Sequence, residues 1–201
     1  MPSQLSRRAI DRALQLQPVD GIDVPAVGHE LYHFIAERLR GYAVDRDPGL
    51  RTETLDAVMA REPASLFDFV RRLDAVKDFL GLEQAESLAA ANKRIANILK
   101  KSDAGSGDAA VDRRLLDDEA EKELYAALET IGNTVRPLIE RHEYTAALQP
   151  LAALRDPGDC FFYDVMVMPA DPAVRDNRLA LLGQLRTLFL GVADVSRLSS
   201  V

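Results

Sequence analysis

The sequence predicts an all-α protein, and three of its properties support this. Of its 201 residues 47% are hydrophobic, and many of these are Ala and Leu, which favour helices. The chain has no Trp and few runs of the β-branched residues that are common in strands. Apolar residues recur at spacings of three and four along most of the chain, the period of an amphipathic helix. We therefore expect a bundle of helices that each bury one apolar face.

Helix-breaking residues divide the first part of the chain. An amphipathic pattern over residues 4–16 ends at Pro18 and Gly21. A second pattern over residues 27–45 ends at the turn formed by residues 47–49, whose sequence is Asp-Pro-Gly. These signals predict two helices before residue 50.

N-cap residues locate the next helices. Thr52 is the predicted N-cap of a helix over residues 52–61. Ser65 with Asp68 resembles a capping box and opens a fourth helix. The apolar face of that helix carries Phe69, Leu73, Val76 and Phe79, and a fifth helix covers residues 83–101.

The second half of the chain has one flexible and one ambiguous segment. Residues 102–108 are small and polar and bury too little surface to order themselves, so they predict a flexible loop. Residues 161–168 are almost continuously apolar, which suits a buried strand or a helix. A single strand without partners is unstable, so we favour a helix or helical turn. The other predicted helices cover residues 114–130, 132–142, 144–154 (ending before Pro157 and Gly158) and 172–192.

Charge and cysteine content limit the classes of function. The formal net charge is −7, which argues against binding nucleic acid through bulk positive charge. One Cys, Cys160, excludes a disulfide within the chain and is typical of a reducing cytoplasm. No apolar run approaches the roughly 20 residues that span a bilayer. We expect a cytoplasmic protein, without membrane contact, whose contacts with nucleic acid are local.

The segment His29-Glu-Leu-Tyr-His33 matches H-E-x-x-H, a pattern in which two His bind zinc and Glu is the general base. Glu53, followed by Asp56, is a candidate third ligand on another helix. The alternative is a plain helix with both His on or near its solvent face, because short patterns arise by chance. We expect no metal here, and a zinc-dependent hydrolase using His29-Glu30-His33 stays an alternative hypothesis.

One basic cluster is free of acidic residues, since no Asp or Glu occurs between Ser87 and Ser102. On a helix its side chains lie opposite Ile95 and Ile98. The cations of such a face can bind phosphates, and its amide can hydrogen-bond to base edges. The alternative is that the face is simply solvated, as most charged helix faces are. The candidate RNA-binding residues are Lys93, Arg94, Asn97, Lys100 and Lys101.

Other polar and aromatic side chains have less specific interpretations. Phe161, Phe162 and Tyr163 either stack on unpaired bases or fill the core, and at least one should fill the core. The chain has no G-x-S-x-G, Walker or G-x-G-x-x-G motif, so we predict no catalytic residues. We interpret four further residues as structural anchors: Asn177, Arg178, Asp194 and Ser196.

Taken together, several segments resemble the C-terminal part of the β subunit of bacterial tetrameric glycyl-tRNA synthetase. They are residues 91–99 (ANKRIANIL), 161–168 (FFYDVMVM) and 171–196, and their order and spacing agree with that family. Residues 37–42 (ERLRGY) are similar to a more N-terminal helix of the family.

The resemblance implies a division of the chain and a fold. Residues 66–201 would form an all-helical anticodon-binding domain named for an Asp-Ala-Leu-Arg motif, which is replaced here by Pro172-Ala-Val-Arg175. Residues 1–62 would be the helical tail of the preceding synthetase region. The segment with His29 and His33 would be an ordinary amphipathic helix.

The resemblance also implies a function, partners and cofactors. The whole β subunit is several times longer than this chain, and ligation of glycine to its tRNA, with ATP and Mg, belongs to the α subunit of a heterotetramer. The chain would then be a non-catalytic fragment that binds the anticodon of glycine tRNA and carries no cofactor itself. A structural interaction module without RNA affinity is a further alternative.

Overall fold

The computed structural model describes residues 12–16, 21, 23–102 and 109–198. These residues form helices and no strand, which confirms the all-α prediction. Short 3₁₀ turns occupy Arg113–Leu115, Ala152–Leu154 and Val195–Arg197. The α-helices are α1 (Val24–Arg46), α2 (Thr52–Met59), α3 (Leu66–Leu80), α4 (Ala85–Lys101), α5 (Glu119–Glu140), α6 (Tyr144–Leu151), α7 (Arg155–Asp164) and α8 (Pro172–Leu190).

Helix α1 lies at the edge of the bundle and contributes little to its core. It begins after the N-cap Asp23, whose carboxylate accepts a hydrogen bond from the Ala26 amide. Its buried residues are the small Gly28, Ala36 and Ala43, whereas its large apolar residues are mostly exposed. Of the predicted 4–16 helix, residues 12–15 are helical and the N-terminal part lies outside the described residues.

The caps of α2 and α3 differ in part from the prediction. Thr52 is the first helical residue rather than the N-cap, a position held by Arg51 without a side-chain hydrogen bond. Ser65 is the N-cap of α3, and its hydroxyl accepts from the Asp68 amide at 3.1 Å. The Asp68 carboxylate accepts from the Ala64 amide instead of the Ser65 amide, so the capping box is half formed.

Helix α2 packs against α3 and against the 3₁₀ turn after α8. Leu55, Ala57 and Val58 belong to the same buried core as the α3 residues. The division of the chain near residues 62–66 stays a prediction, and the packing of α2 places part of the 1–62 region directly on the core.

A single helix, α5, replaces the two predicted over residues 114–130 and 132–142. Gly132 lies buried within it, and the Arg136 guanidinium lies close to the space that a side chain would occupy. The helix ends in a Schellman pattern, with the Glu143 amide donating to Leu138 O. His142 adopts the left-handed conformation (φ 58°) that this ending requires.

The predicted 144–154 helix ends earlier, at Leu151, and the prediction that residues 156–158 mark a helix end is wrong. After α6 and a 3₁₀ turn, α7 begins at Arg155, so Pro157 lies in its first turn. An amide there has no acceptor within the helix, so Pro loses no hydrogen bond. Of the ambiguous residues 161–168, the first four are helical and the rest form an irregular segment, in agreement with the preference against a strand.

Helix α8 runs through the centre of the core. Its predicted core residues are all buried. The ring of its Phe189 makes a T-shaped contact with the ring of Phe79, with the centroids 6.3 Å apart. Gly191 follows α8 where a side chain would collide with Ile139 of α5. The buried α8 residues predicted from sequence are Leu179, Leu182, Leu185, Leu188 and Phe189.

Arg178 and Asn177 are structural anchors, as predicted. The Arg178 guanidinium donates to Glu121 Oε1 (2.7 Å), to Asp118 Oδ2 (2.8 Å) and to Met166 O (2.8 Å). These bonds tie α8 to the start of α5 and to the irregular segment after α7. Asn177 bonds both the backbone amide and the carbonyl of Asp112.

A second buried polar network joins α3, α6 and the end of α8. Asp68 accepts from the Arg72 Nε at 3.0 Å and from the Tyr144 hydroxyl at 2.6 Å. Arg72 also donates to the carbonyls of Gly191 and Val192, which caps the C-terminal end of α8.

Within the described ranges no helix is long and apolar enough to cross a membrane.

Candidate nucleic-acid interface

The five candidate RNA-binding residues lie together on the outward face of α4. The inner face of this helix carries Leu88 and Ile95, which are buried against α8, α7 and the 3₁₀ turn after α8. Because these positions are opposite the basic ones, packing of the inner face turns the cations outward. Arg94, Asn97, Lys100 and Lys101 are exposed, and Lys93 is partly exposed.

The aromatic run at the end of α7 lies beside this face. The Arg94 guanidinium stacks over the Phe162 ring, with Cζ 4.2 Å from the ring centroid. Phe161 is fully buried in the core, and the partly buried Phe162 packs against it. Tyr163 is 91% exposed. The contact between Arg94 and Phe162 joins the basic face of α4 to the end of α7, where Tyr163 is the next residue along the chain. We call the basic face of α4 together with Phe162 and Tyr163 the α4–α7 face.

Charge is unevenly distributed over the α4–α7 face. Its cations are on α4, while the exposed Asp164 follows Tyr163 at the end of α7. Another α7 acid, Asp159, is paired with Arg155 at 3.7 Å. Phosphates are therefore attracted to the α4 side, and a neutral base is better accommodated beside Tyr163.

The H-E-x-x-H segment forms part of the solvent face of α1. The Nε2 atoms of His29 and His33 lie 3.1 Å apart, and both residues are exposed. Of the candidate third ligands, Glu53 lies 3.8 Å from Arg51, and Asp56 is paired with Arg40. In the part of the chain that the structure describes, no group of three or more His, Cys, Asp or Glu side chains could hold a metal ion. No described geometry favours the zinc-hydrolase hypothesis.

A second cationic group was missed at the level of sequence. Arg186 and Arg197 both pair with Asp194, at 3.4 and 3.3 Å, although eleven residues separate the two arginines in the sequence. The chain turns back after α8 to bring them to the same carboxylate, and helical periodicity does not indicate such a turn. The exposure of Tyr163 likewise depends on how α7 packs.

Comparison with known proteins matches residues 88–194 to the DALR anticodon binding domain. The glycine–tRNA ligase β subunit of Ralstonia nicotianae is 48% identical over 167 residues, which is 83% of this chain and 23% of that protein. The one from Delftia acidovorans is 43% identical over 197 residues, which is 94% of this chain and 28% of that protein. The chain thus spans about a quarter of the length of these relatives. The resemblance predicted from its sequence is confirmed.

Proposed function

We propose that this chain, which belongs to the family of the DALR anticodon binding domain, binds the anticodon of glycine tRNA as a module of a glycyl-tRNA synthetase β subunit. The observation that carries this proposal is the α4–α7 face, where the cations of α4, in a stretch without acidic residues, meet the aromatic run at the end of α7 through the contact of Arg94 with Phe162. Recognition of unpaired RNA bases uses this combination of phosphate contacts and stacking.

The α4–α7 face would contact RNA in two ways. Lys93, Lys100 and Lys101 hold phosphates, which fixes the position of the strand but carries no sequence information. Asn97 offers an amide that can pair with a base edge, and Tyr163 offers a ring on which a base can stack. The net charge of −7 is compatible with this role, because it keeps non-specific affinity for other nucleic acids low.

In the complete synthetase, ligation takes place elsewhere. The whole enzyme uses ATP and Mg²⁺, and glycine is joined to its tRNA with the α subunit, while this chain supplies binding energy and specificity. The experiment for this module is therefore tRNA binding rather than aminoacylation.

The exposed apolar residues of helix α1 favour a second role for the chain, in contacts with another protein surface. Its large apolar side chains face solvent, and so do those at the start of α3. An apolar surface of this kind is typical of contacts with another protein surface. The exposed residues are Val27, Leu31, Phe34, Ile35, Tyr42, Val44, Leu66, Phe67 and Val70.

Reversing two charges on α4 is expected to weaken tRNA binding. In the double variant Lys93→Glu/Lys100→Glu we expect the affinity for glycine tRNA to fall by about tenfold or more, because two charge-assisted contacts are lost. The slope of log affinity against log salt should decrease by about 1.4, as about 0.7 is expected per phosphate on a single strand. Fluorescence anisotropy at four salt concentrations measures both quantities.

Two further variants separate this interpretation from a general charge effect. Lys122→Glu/Arg141→Glu changes the net charge equally on exposed residues outside the α4–α7 face, and should retain most of the affinity. Tyr163→Ala should lower the affinity and leave the salt slope unchanged, because it removes stacking and no charge. Equal affinities and slopes for both double variants would remove α4 from the interface.

A further inference from the structure

Helix α1 is long, yet the residues that it buries against its own chain are small. They are Gly28, Ala36 and Ala43. Among the described residues, no other helix packs along α1 as closely as the core helices pack on one another. A helix in a protein is stabilised mainly by burying an apolar face. Helix α1 therefore has an apolar face that its own chain leaves uncovered.

One part of that face is a ridge of exposed apolar side chains. Val27 and Leu31 are each 37% exposed, and Phe34 is 58% exposed. Their spacings of four and three residues place them on one side of the helix, with Val27 and Phe34 about 10.5 Å apart along its axis. A helix that binds in a groove of another protein has its anchor side chains at these spacings. We call these three residues the α1 ridge.

Beside the α1 ridge, helices α1 and α3 enclose two apolar cavities. The first has a volume of about 270 Å³, and its lining includes Ile35 of α1 and Leu66 of α3. The second has a volume of about 340 Å³, and its lining includes Tyr42 of α1 and Val70 of α3. Ile35 and Tyr42 are seven residues apart, so the cavities follow each other along α1 at a spacing of about 10.5 Å. We call the two cavities the α1–α3 groove.

The α1 ridge of one copy of the chain matches the α1–α3 groove of a second copy. In an antiparallel pair with its two-fold axis between residues 34 and 35, Phe34 of one copy lies beside Ile35 of the other, at the first cavity. Val27 then lies beside Tyr42 of the other copy, at the second cavity, because both spacings are seven residues. Every contact occurs twice, as in an isologous interface, so both ridges are covered and both grooves are filled.

Charges on α1 favour the same antiparallel arrangement. Glu30 and Arg38 lie on either side of this axis, and both are exposed. Antiparallel pairing brings Glu30 of one copy close to Arg38 of the other, twice in each dimer. Parallel pairing would instead place Glu30 against Glu30 and Arg38 against Arg38, which is repulsive.

We propose that this chain forms an antiparallel dimer in which the α1 ridge of each copy fills the α1–α3 groove of the other. The proposal rests on the structural role given above, for which it names the partner, and not on RNA binding. The apolar stretch from Val27 to Tyr42 is about 23 Å long, and two packed helices are about 20 Å wide, so the pair buries roughly 900 Å². Interfaces of this size are weak, and we expect a dissociation constant in the micromolar range.

The test is analytical ultracentrifugation of the wild-type chain and of Phe34→Asp over a series of concentrations. We expect wild type to pass from monomer to dimer in the micromolar range. Phe34→Asp should stay monomeric, because its carboxylate would be buried against Ile35 of the other copy. Since Phe34 is exposed in the single chain, this variant should unfold like wild type at low concentration. The matched control is Met166→Asp, at a 71% exposed position after α7, which should dimerise like wild type.

An exchange of charges tests the antiparallel arrangement. Glu30→Arg should weaken dimerisation about tenfold, because it meets Arg38 of the other copy in both contacts. Glu30→Arg/Arg38→Glu should restore the wild-type dissociation constant, since the two charges are again opposite. A double variant that dimerises no better than Glu30→Arg would show that these residues do not face each other, and the arrangement would be wrong.

Two further results would overturn the dimer itself. One is a wild-type chain that stays monomeric at every concentration, and the other is a dimer that Phe34→Asp leaves intact. The RNA-binding function stands in both cases, because tRNA binding is measured separately on the same samples. If wild type dimerises as expected but does not bind tRNA, this inference is supported and the RNA-binding function fails alone.

Discussion

Replacing Arg178 by Ala is expected to lower the free energy of unfolding by about 3–5 kcal/mol. Its partner Glu121 is fully buried, and the Ala variant leaves this carboxylate without the only cationic contacts that it has among the described residues. The same guanidinium holds Asp118 and Met166 O, so the attachment of the segment after α7 is lost as well. Urea denaturation followed by circular dichroism at 222 nm measures the change.

Arg175 is the matched control for Arg178, because it lies one turn earlier on the same helix. In the described parts of the chain its partly exposed guanidinium pairs with the neighbouring Asp176 alone, at 3.6 Å, so Arg175→Ala should cost less than about 1 kcal/mol. Arg178→Lys keeps the charge without the forked geometry and should fall between the two. Equal stability of Arg178→Ala and Arg175→Ala would contradict the anchoring role.

The variant Asp68→Asn should be destabilised by about 3 kcal/mol at neutral pH. The carboxylate is 7% exposed and accepts from the Arg72 guanidinium, the Tyr144 hydroxyl and the Ala64 amide. An Asn side chain has the same shape, but its NH₂ group is a donor and would face one of the three donors that now bind the carboxylate. Asn also carries no negative charge to balance the Arg72 guanidinium. Urea unfolding at several pH values measures the difference from wild type.

The pH dependence of this difference has a defined sign. Burial raises the pKa of Asp68, but hydrogen bonds from Tyr144 and Ala64 and the charge of Arg72 outweigh it, so the pKa lies below its ordinary value. A carboxyl whose pKa is lowered by folding stabilises the protein above its unfolded pKa, near 4, and loses that contribution as the pH falls through its folded pKa. The difference in the free energy of unfolding between wild type and Asp68→Asn should therefore be largest near pH 7 and become smaller below about pH 4.

Asp78→Asn on the same helix is the control for Asp68→Asn. Asp78 is exposed and accepts one hydrogen bond, from the Thr145 hydroxyl at 3.2 Å. Its substitution should change the free energy of unfolding by less than about 0.5 kcal/mol at every pH. If the difference in the free energy of unfolding between wild type and Asp68→Asn stays constant from pH 7 to pH 3, the charge of Asp68 contributes nothing to stability.

Much of the helical architecture was predictable, because apolar periodicity reflects burial directly. The core positions of α8 were identified from spacing alone, since Leu179 to Phe189 recur at the helical period. Arg178 was assigned a structural role from its place at the edge of that stripe, and its buried bonds to Glu121 agree with this.

The errors arose where local signals depend on context. Pro157 was taken as a helix end, but Pro fits the first turn of α7, where no amide hydrogen bond is lost. Gly132 lies inside a continuous α5, since tertiary packing outweighs its low helix propensity. At the candidate site, the sequence indicated the cations of α4, whereas the exposure of Tyr163 and the contact of Arg94 with Phe162 depend on how α7 packs against α4.

The central claim is that this chain reads the anticodon of glycine tRNA, and one binding measurement tests it most directly. The affinity of the wild-type chain is measured by salt titration for glycine tRNA and for the same tRNA with altered anticodon bases. We predict that the altered tRNA binds about tenfold more weakly per changed base, with an unchanged salt slope, because base contacts are lost and phosphate contacts are kept. Equal affinity for both tRNAs would contradict anticodon recognition by this chain.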